Sequence, residues 1–168
     1  MLFSGALAPD LPLYLFFGWY TLVRQLPQEL IWQVLYFRTD WQTVFDLFHS
    51  LPLWAAAGFL FWRRGALRSA LFCLAALLAS FEDFLVHHED AHAHFFPLSS
   101  YRFHSPVSYW NPAHYGQYFS VLEIVLSVGA GIWAYRRLES RWGRMVLVLA
   151  LLLLVFNHSM WSFIFANF

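Results

Sequence analysis

Residues 69–94 read SALFCLAALLASFEDFLVHHEDAHAH, an apolar run that passes into two acidic residues and then into a histidine-rich stretch. A helix that crosses a membrane needs about 20 mostly apolar residues. The run reaches that length only if it continues past Glu82 and Asp83 to about His88. Carried outward as one helix, Asp83, His87 and Asp90 fall at i, i+4 and i+7 and share a face, the arrangement two side chains need to chelate one ion.

Outward from this stretch the chain keeps the same character. Of 168 residues, 60% are hydrophobic and only 12% charged, half the share of roughly 25% in a soluble protein. So much apolar surface, with 21% aromatic residues, excludes a disordered chain and argues against a water-soluble enzyme or a nucleic-acid binder. The expected fold class is an all-α integral membrane protein. Apolar stretches at 1–23, 51–62, 69–86, 118–135 and 145–166 predict a bundle of four transmembrane helices plus an N-terminal membrane-embedded helical segment, in a single membrane domain spanning 1–168. The N-terminal stretch is interrupted because Pro9 and Pro12 bracket Asp10. Cys73, the single cysteine, lies in an apolar run and reads as a small core residue.

Orientation follows from the basic residues, all ten of which are Arg. Arg63, Arg64 and Arg68 lie between the second and third stretches, and Arg136, Arg137, Arg141 and Arg144 between the fourth and fifth. Short loops rich in positive charge face the cytoplasm. The segments about 25–48 and 87–117 then face the other side of a bacterial inner membrane. Trp32, Tyr36, Phe37, Trp41 and Phe45 give the first of these the look of helices lying in the interface.

The chemistry-bearing residues crowd onto that outer side. Six of the eight histidines fall between 87 and 114, His49 opens the second helix, and Glu82, Asp83 and Glu123 stand near outer helix ends. Ionisable groups at membrane depth are costly unless paired or hydrated, so their convergence points to a polar or metal-filled cavity. Imidazole mixed with carboxylate suits zinc, iron or manganese better than calcium or magnesium. The run His87-His88-Glu89-Asp90-Ala91-His92-Ala93-His94 adds ligands at short range, although a solvated loop would read similarly. His94 and His104 read as residues of the exposed loop.

One resemblance joins these features. Gly5-Ala6-Leu7-Ala8-Pro9-Asp10 closing a small-residue helix, Phe48-His49-Ser50 opening an apolar one, an Arg-rich turn, a helix closing on Asp83 and His87, then Phe96-Pro97-Leu98-Ser99 and Arg102-Phe103 follow in order. Over roughly residues 1–116 this resembles the LexA-regulated inner-membrane family of metal-dependent hydrolases, in particular a short branch with a His-His-acid-Asp-Ala-His stretch and a Ser-Pro-Val-Ser-Tyr-Trp loop. The resemblance implies that Asp10, His49 and Asp83 come together as a metal centre, with His87, His88, Asp90 and His92 nearby. Family members usually carry a histidine four residues before the aspartate of the third helix, where this chain has Ala79. His87, four residues after Asp83, is placed to take over that role.

The expected function is metal-assisted hydrolysis at the outer face. A divalent ion, zinc first and iron or manganese after it, lowers the pKa of a coordinated water, and Asp90 or Glu89 accepts the proton. The bilayer is the expected partner, with a small molecule or a lipid-derived ester, amide or phosphoester as substrate. Two other readings stand beside this one. A di-iron oxygenase also uses membrane histidines, and a non-enzymatic membrane subunit could bind a partner, a haem or a quinone through the same residues. A coloured or paramagnetic cofactor would favour either of those.

Overall fold

The computed structural model describes residues 2–109 and 111–166, with side chains described as far as Val155 in the last helix. Among these residues the chain is helical, with no strand. It divides into two compact units, Met1–Ser105 and Pro106–Phe168.

The first unit begins with α1 (Leu2–Ala6) and α2 (Leu11–Gly18), the latter widening into a π-helical turn at Trp19–Val23. Next come α3 (Gln28–Leu30) with a second such turn at Ile31–Leu35, α4 (Thr39–Phe48), α5 (Leu51–Arg63) and α6 (Leu67–Val86). Pro9 and Asp10 separate α1 from α2, and Pro12 sits in the first turn of α2, where its missing N–H costs nothing. Gly5 lets α1 lie close on α6, since a Cβ there would run into the Phe72 carbonyl and the Ala75 side chain. Ser50 caps α5 by accepting the Leu53 amide at 3.2 Å. Gly65 turns the chain from α5 into α6 with φ +71°, a conformation that favours glycine.

Of the aromatic residues that suggest interfacial helices, Trp32, Tyr36, Trp41 and Phe45 pack around one ring. Phe16 is fully buried, with Trp41, Tyr20 and Phe45 meeting it edge-on at 5.0, 5.1 and 5.6 Å. Tyr36 and Phe45 are buried in the same cluster, and Trp32 packs against it. Offset and edge-on aromatic pairs of this kind add to the area they bury. Their effect here is to fix α2 against α4 and so to hold the end of α4, where the chain reaches His49.

The second unit is made of α7 (Gly116–Arg137) and α8 (Arg141–Ala166). Its turn is built on arginine. Arg137 and Arg144 lie over the Trp133 and Tyr135 rings at 5.2 and 5.1 Å. Arg144 Nε also donates to the Leu138 carbonyl at 2.8 Å, one of the carbonyls that the end of α7 leaves open.

Two helices, α6 and α7, are long and apolar enough to cross a membrane, and three spans result if α4 and α5, bent by 40°, form one. The sequence-based expectation of four spans plus an N-terminal segment is therefore too high among the described residues. Residues 2–23 break at Pro9–Asp10 into a helix of five residues and a helical stretch Leu11–Val23, which is shorter than a span. The stretch at 51–62 gives a helix of 13 residues, which gains length from α4 only across the bend at His49. The outer part of 145–166, with Asn157 and His158, falls outside the residues whose side chains are described. On α6, Leu74, Leu78, Phe81 and Leu85 are exposed, which is the surface a lipid-facing helix presents.

Candidate metal centre

Three breaks in helical structure meet at one place: the Pro9–Asp10 break, the bend between α4 and α5, and the end of α6. Asp10 comes from the first, His49 from the second and Asp83 from the last turn of α6. Each offers a ligand atom, and the three atoms lie within 4.8 Å of one another. His49, 2% exposed, is the buried member. The Asp10 side chain, 41% exposed, is the most open.

Two kinds of distance separate the contacts of these rings. His49 Nδ1 donates to the Phe45 carbonyl at 2.9 Å, and His87 Nδ1 lies 3.0 Å from Asp90 Oδ2. The first is an ordinary hydrogen bond and the second a close ion-pair contact. On the opposite edges the spacing is longer. His49 Nε2 stands 3.4 Å from Asp83 Oδ2 and 3.7 Å from Asp10 Oδ1, and His87 Nε2 stands 3.4 Å from Asp83 Oδ1. Charge-assisted hydrogen bonds between such groups run to about 2.7–2.9 Å. A tetrahedral ion with ligand arms of about 2.1 Å sets its ligand atoms roughly 3.4 Å apart. Pinning Nδ1 to a carbonyl, as in His49, leaves the Nε2 lone pair for an ion, the pattern of metal-ligating histidines. The donor set fits a divalent cation.

The electrostatics agree with that fit. Burial opposes charge on His87, but the carboxylates of Asp83 and Asp90 beside it outweigh burial and raise its pKa to about 10. Two close carboxylates repel unless a positive charge lies between them. A protonated imidazole supplies one such charge, and an ion that displaces the proton supplies more.

The remaining histidines divide into two groups. His92 is 4% exposed and stacks on His49 with centroids 4.0 Å apart. Burial holds its pKa well below the ordinary imidazole value. His94, expected in the exposed loop, is 1% exposed. Burial and the nearby His49 lower its pKa to about 4. By contrast, His88 Nδ1 donates to the Ser105 carbonyl and the exposed His104 donates to the His88 carbonyl. The structure thus groups Asp10, His49 and Asp83, adds His87 through the other oxygen of Asp83, stacks His92 alongside, and ties His88 to the loop. Glu89 is exposed. Asp90, expected to accept a proton from water, lies 3.0 Å from His87 Nδ1.

Asp46 is the residue that sequence reasoning missed. It is buried on α4, accepts the Ala93 amide at 2.8 Å and pairs with Arg102 at 2.5 Å. Arg102 also donates to the Ala91 carbonyl at 2.6 Å, and Leu51 N donates to the His94 carbonyl at 2.9 Å. These bonds fasten residues 91–94 to the α4–α5 bend, and so keep His92 against His49. The signal was an aspartate three residues before His49, on its helical face. Compared with known proteins, the chain matches no protein family, no curated sequence and no solved structure.

Proposed function

We propose that the chain is a membrane-embedded, metal-dependent hydrolase whose divalent ion is held by Asp10, His49 and Asp83. The observation that carries this reading is the contrast in spacing around His49 and His87: about 3 Å on their Nδ1 edges, 3.4–3.7 Å on their Nε2 edges. A held ion would supply an activated water and a Lewis acid at neutral pH. The chain's own groups do the positioning. The Phe45 carbonyl and Asp90 fix the two rings, and Asp46 with Arg102 fastens the loop that closes over them. Asp10 is the exposed side of the site, and substrate approaches there.

Asp83 lies three residues from the end of α6, about one turn in from the helix terminus. A site at that depth, next to exposed leucines, suits an ester, amide or phosphoester of a lipid or of another amphiphile. Zinc is the ion expected first, and the resemblance to inner-membrane metal-dependent hydrolases points the same way.

Elemental analysis of detergent-purified protein tests the reading. Wild type retains zinc, iron or manganese, Asp83→Asn and His49→Ala lose it, and His104→Ala keeps it. Cleavage of chromogenic ester and phosphoester amphiphiles falls with a chelator and returns with the ion. Equal metal content in all four proteins would sink the metal centre. Metal retained without turnover of any amphiphile would leave a binding subunit in its place.

A further inference from the structure

Asp83 shows its two oxygens to two different imidazoles, Oδ2 to His49 and Oδ1 to His87, each at 3.4 Å. The three ligand atoms that lie within 4.8 Å of one another belong to Asp10, His49 and Asp83, and His87 is not of that set. Its Nε2 therefore addresses a place of its own beside the other oxygen of Asp83. Asp90 holds the opposite edge of the ring at 3.0 Å, the support a ligating histidine receives from a carboxylate behind it.

A second, independent observation lies next to His87. His92 is 4% exposed, its ring is 5.6 Å from that of His87, and its Nδ1 is buried with no hydrogen-bond partner, the nearest Asp46 oxygen standing 4.0 Å away. His94 Nε2 is buried and unpartnered too, its ring 5.9 Å from His92. Its Nδ1 donates to the His92 carbonyl at 3.0 Å, which leaves Nε2 as the lone-pair nitrogen. An unsatisfied buried polar group is expensive. His92, beside His87, thus adds an unsatisfied buried ring to the pocket at Asp83 Oδ1, with His94 behind it.

We propose that the centre takes two divalent ions bridged by Asp83. The first sits at Asp10, His49 and Asp83 Oδ2, and the second at Asp83 Oδ1, His87 and His92. This rests on the metal-centre reading above, and it changes the role of Asp83 from one ligand among three to the shared one. Two-ion sites with a spacing of about 3.5–4 Å are common where a water attacks a phosphoester or an amide.

The test counts ions. Metal-stripped full-length protein in detergent is saturated with Zn²⁺ alone, freed of excess by gel filtration and analysed. Wild type holds two ions per chain, His87→Ala and His92→Ala one each, Asp10→Asn one, and Asp83→Asn none. Loading wild type with Mn²⁺ gives a spin-coupled multiline resonance spectrum, and His87→Ala turns it into that of an isolated Mn²⁺. The spectrum of wild type decides the matter even where a variant does not fold. One ion per chain, uncoupled and unaffected by His87→Ala, overturns the bridged pair while leaving the metal centre in place. No bound ion at all overturns both.

Discussion

His49 and Asp46 sit three residues apart on one helical face, and each shows how a single side chain sets the geometry of its neighbours. His49 was legible because it is a histidine at the mouth of an apolar helix, where a polar ring needs a reason. Asp46 was not, because its partners, the Ala93 amide and Arg102, lie 47 and 56 residues away. Only folding brings them together. An Asp46→Ala protein keeps every candidate ligand but takes the carboxylate from Arg102 and strands a buried amide, a loss of about 2–3 kcal/mol for hydrogen bonds that involve a charged group. We expect a lower thermal midpoint in detergent and weaker retention of metal, because the loop carrying His92 is freed. Asp46→Asn, which still accepts from Ala93, falls between the two. An unchanged midpoint in Asp46→Ala would show that the Arg102 pair is not what fastens the loop. His94 was misplaced for a related reason: a histidine at the end of a polar, histidine-rich run looks like loop, and nothing local reveals that its carbonyl is bound by Leu51.

Elements meet at the site through their interruptions rather than their lengths. The break at Pro9–Asp10, readable from the prolines, turns an expected membrane segment into two short helices and delivers Asp10 from between them. The bend at His49 does the same between α4 and α5. What the sequence could not reveal is how closely α1 must lie on α6 for Asp10 to reach the last turn that carries Asp83. Gly5 provides that approach. A Cβ at Gly5 meets the Phe72 carbonyl, a backbone atom, and lies 3.0 Å from the Ala75 Cβ, so the helices must separate. At Gly18 a Cβ meets nothing within 4 Å. Gly5→Ala is therefore expected to lower the thermal midpoint and to weaken metal retention through the displaced Asp10. Gly18→Ala is expected to leave both unchanged or slightly improved, since alanine restricts the unfolded chain. Equal behaviour of the two would remove the argument that α1 is held in place by this contact.

At the scale of the whole molecule the governing question is which side of the membrane the site faces. The end of α6 that carries Asp83 is opposite the end at Leu67, and the turn before Leu67 carries Arg63 and Arg64. A second arginine cluster, Arg136, Arg137, Arg141 and Arg144, marks the turn between α7 and α8. Moving a short loop with several arginines across a bilayer is unfavourable, so both turns are expected on the cytoplasmic side and the candidate metal centre on the other. The cation–π contacts of Arg137 and Arg144 leave their charge intact, so they do not weaken this bias. Single cysteines introduced in a Cys73→Ala background give the test, because Cys73 is buried and its replacement adds no reactive thiol. Gly65, Ser100 and Glu139 are all exposed, so a cysteine at any of them is free to react once its side of the membrane is reached. In intact cells an impermeant maleimide labels Ser100→Cys and spares Gly65→Cys and Glu139→Cys until the membrane is opened. Labelling of Gly65→Cys in sealed cells, with Ser100→Cys protected, would reverse the orientation. The candidate centre would then face the cytoplasm, and the substrate proposed above would be an amphiphile of the inner leaflet.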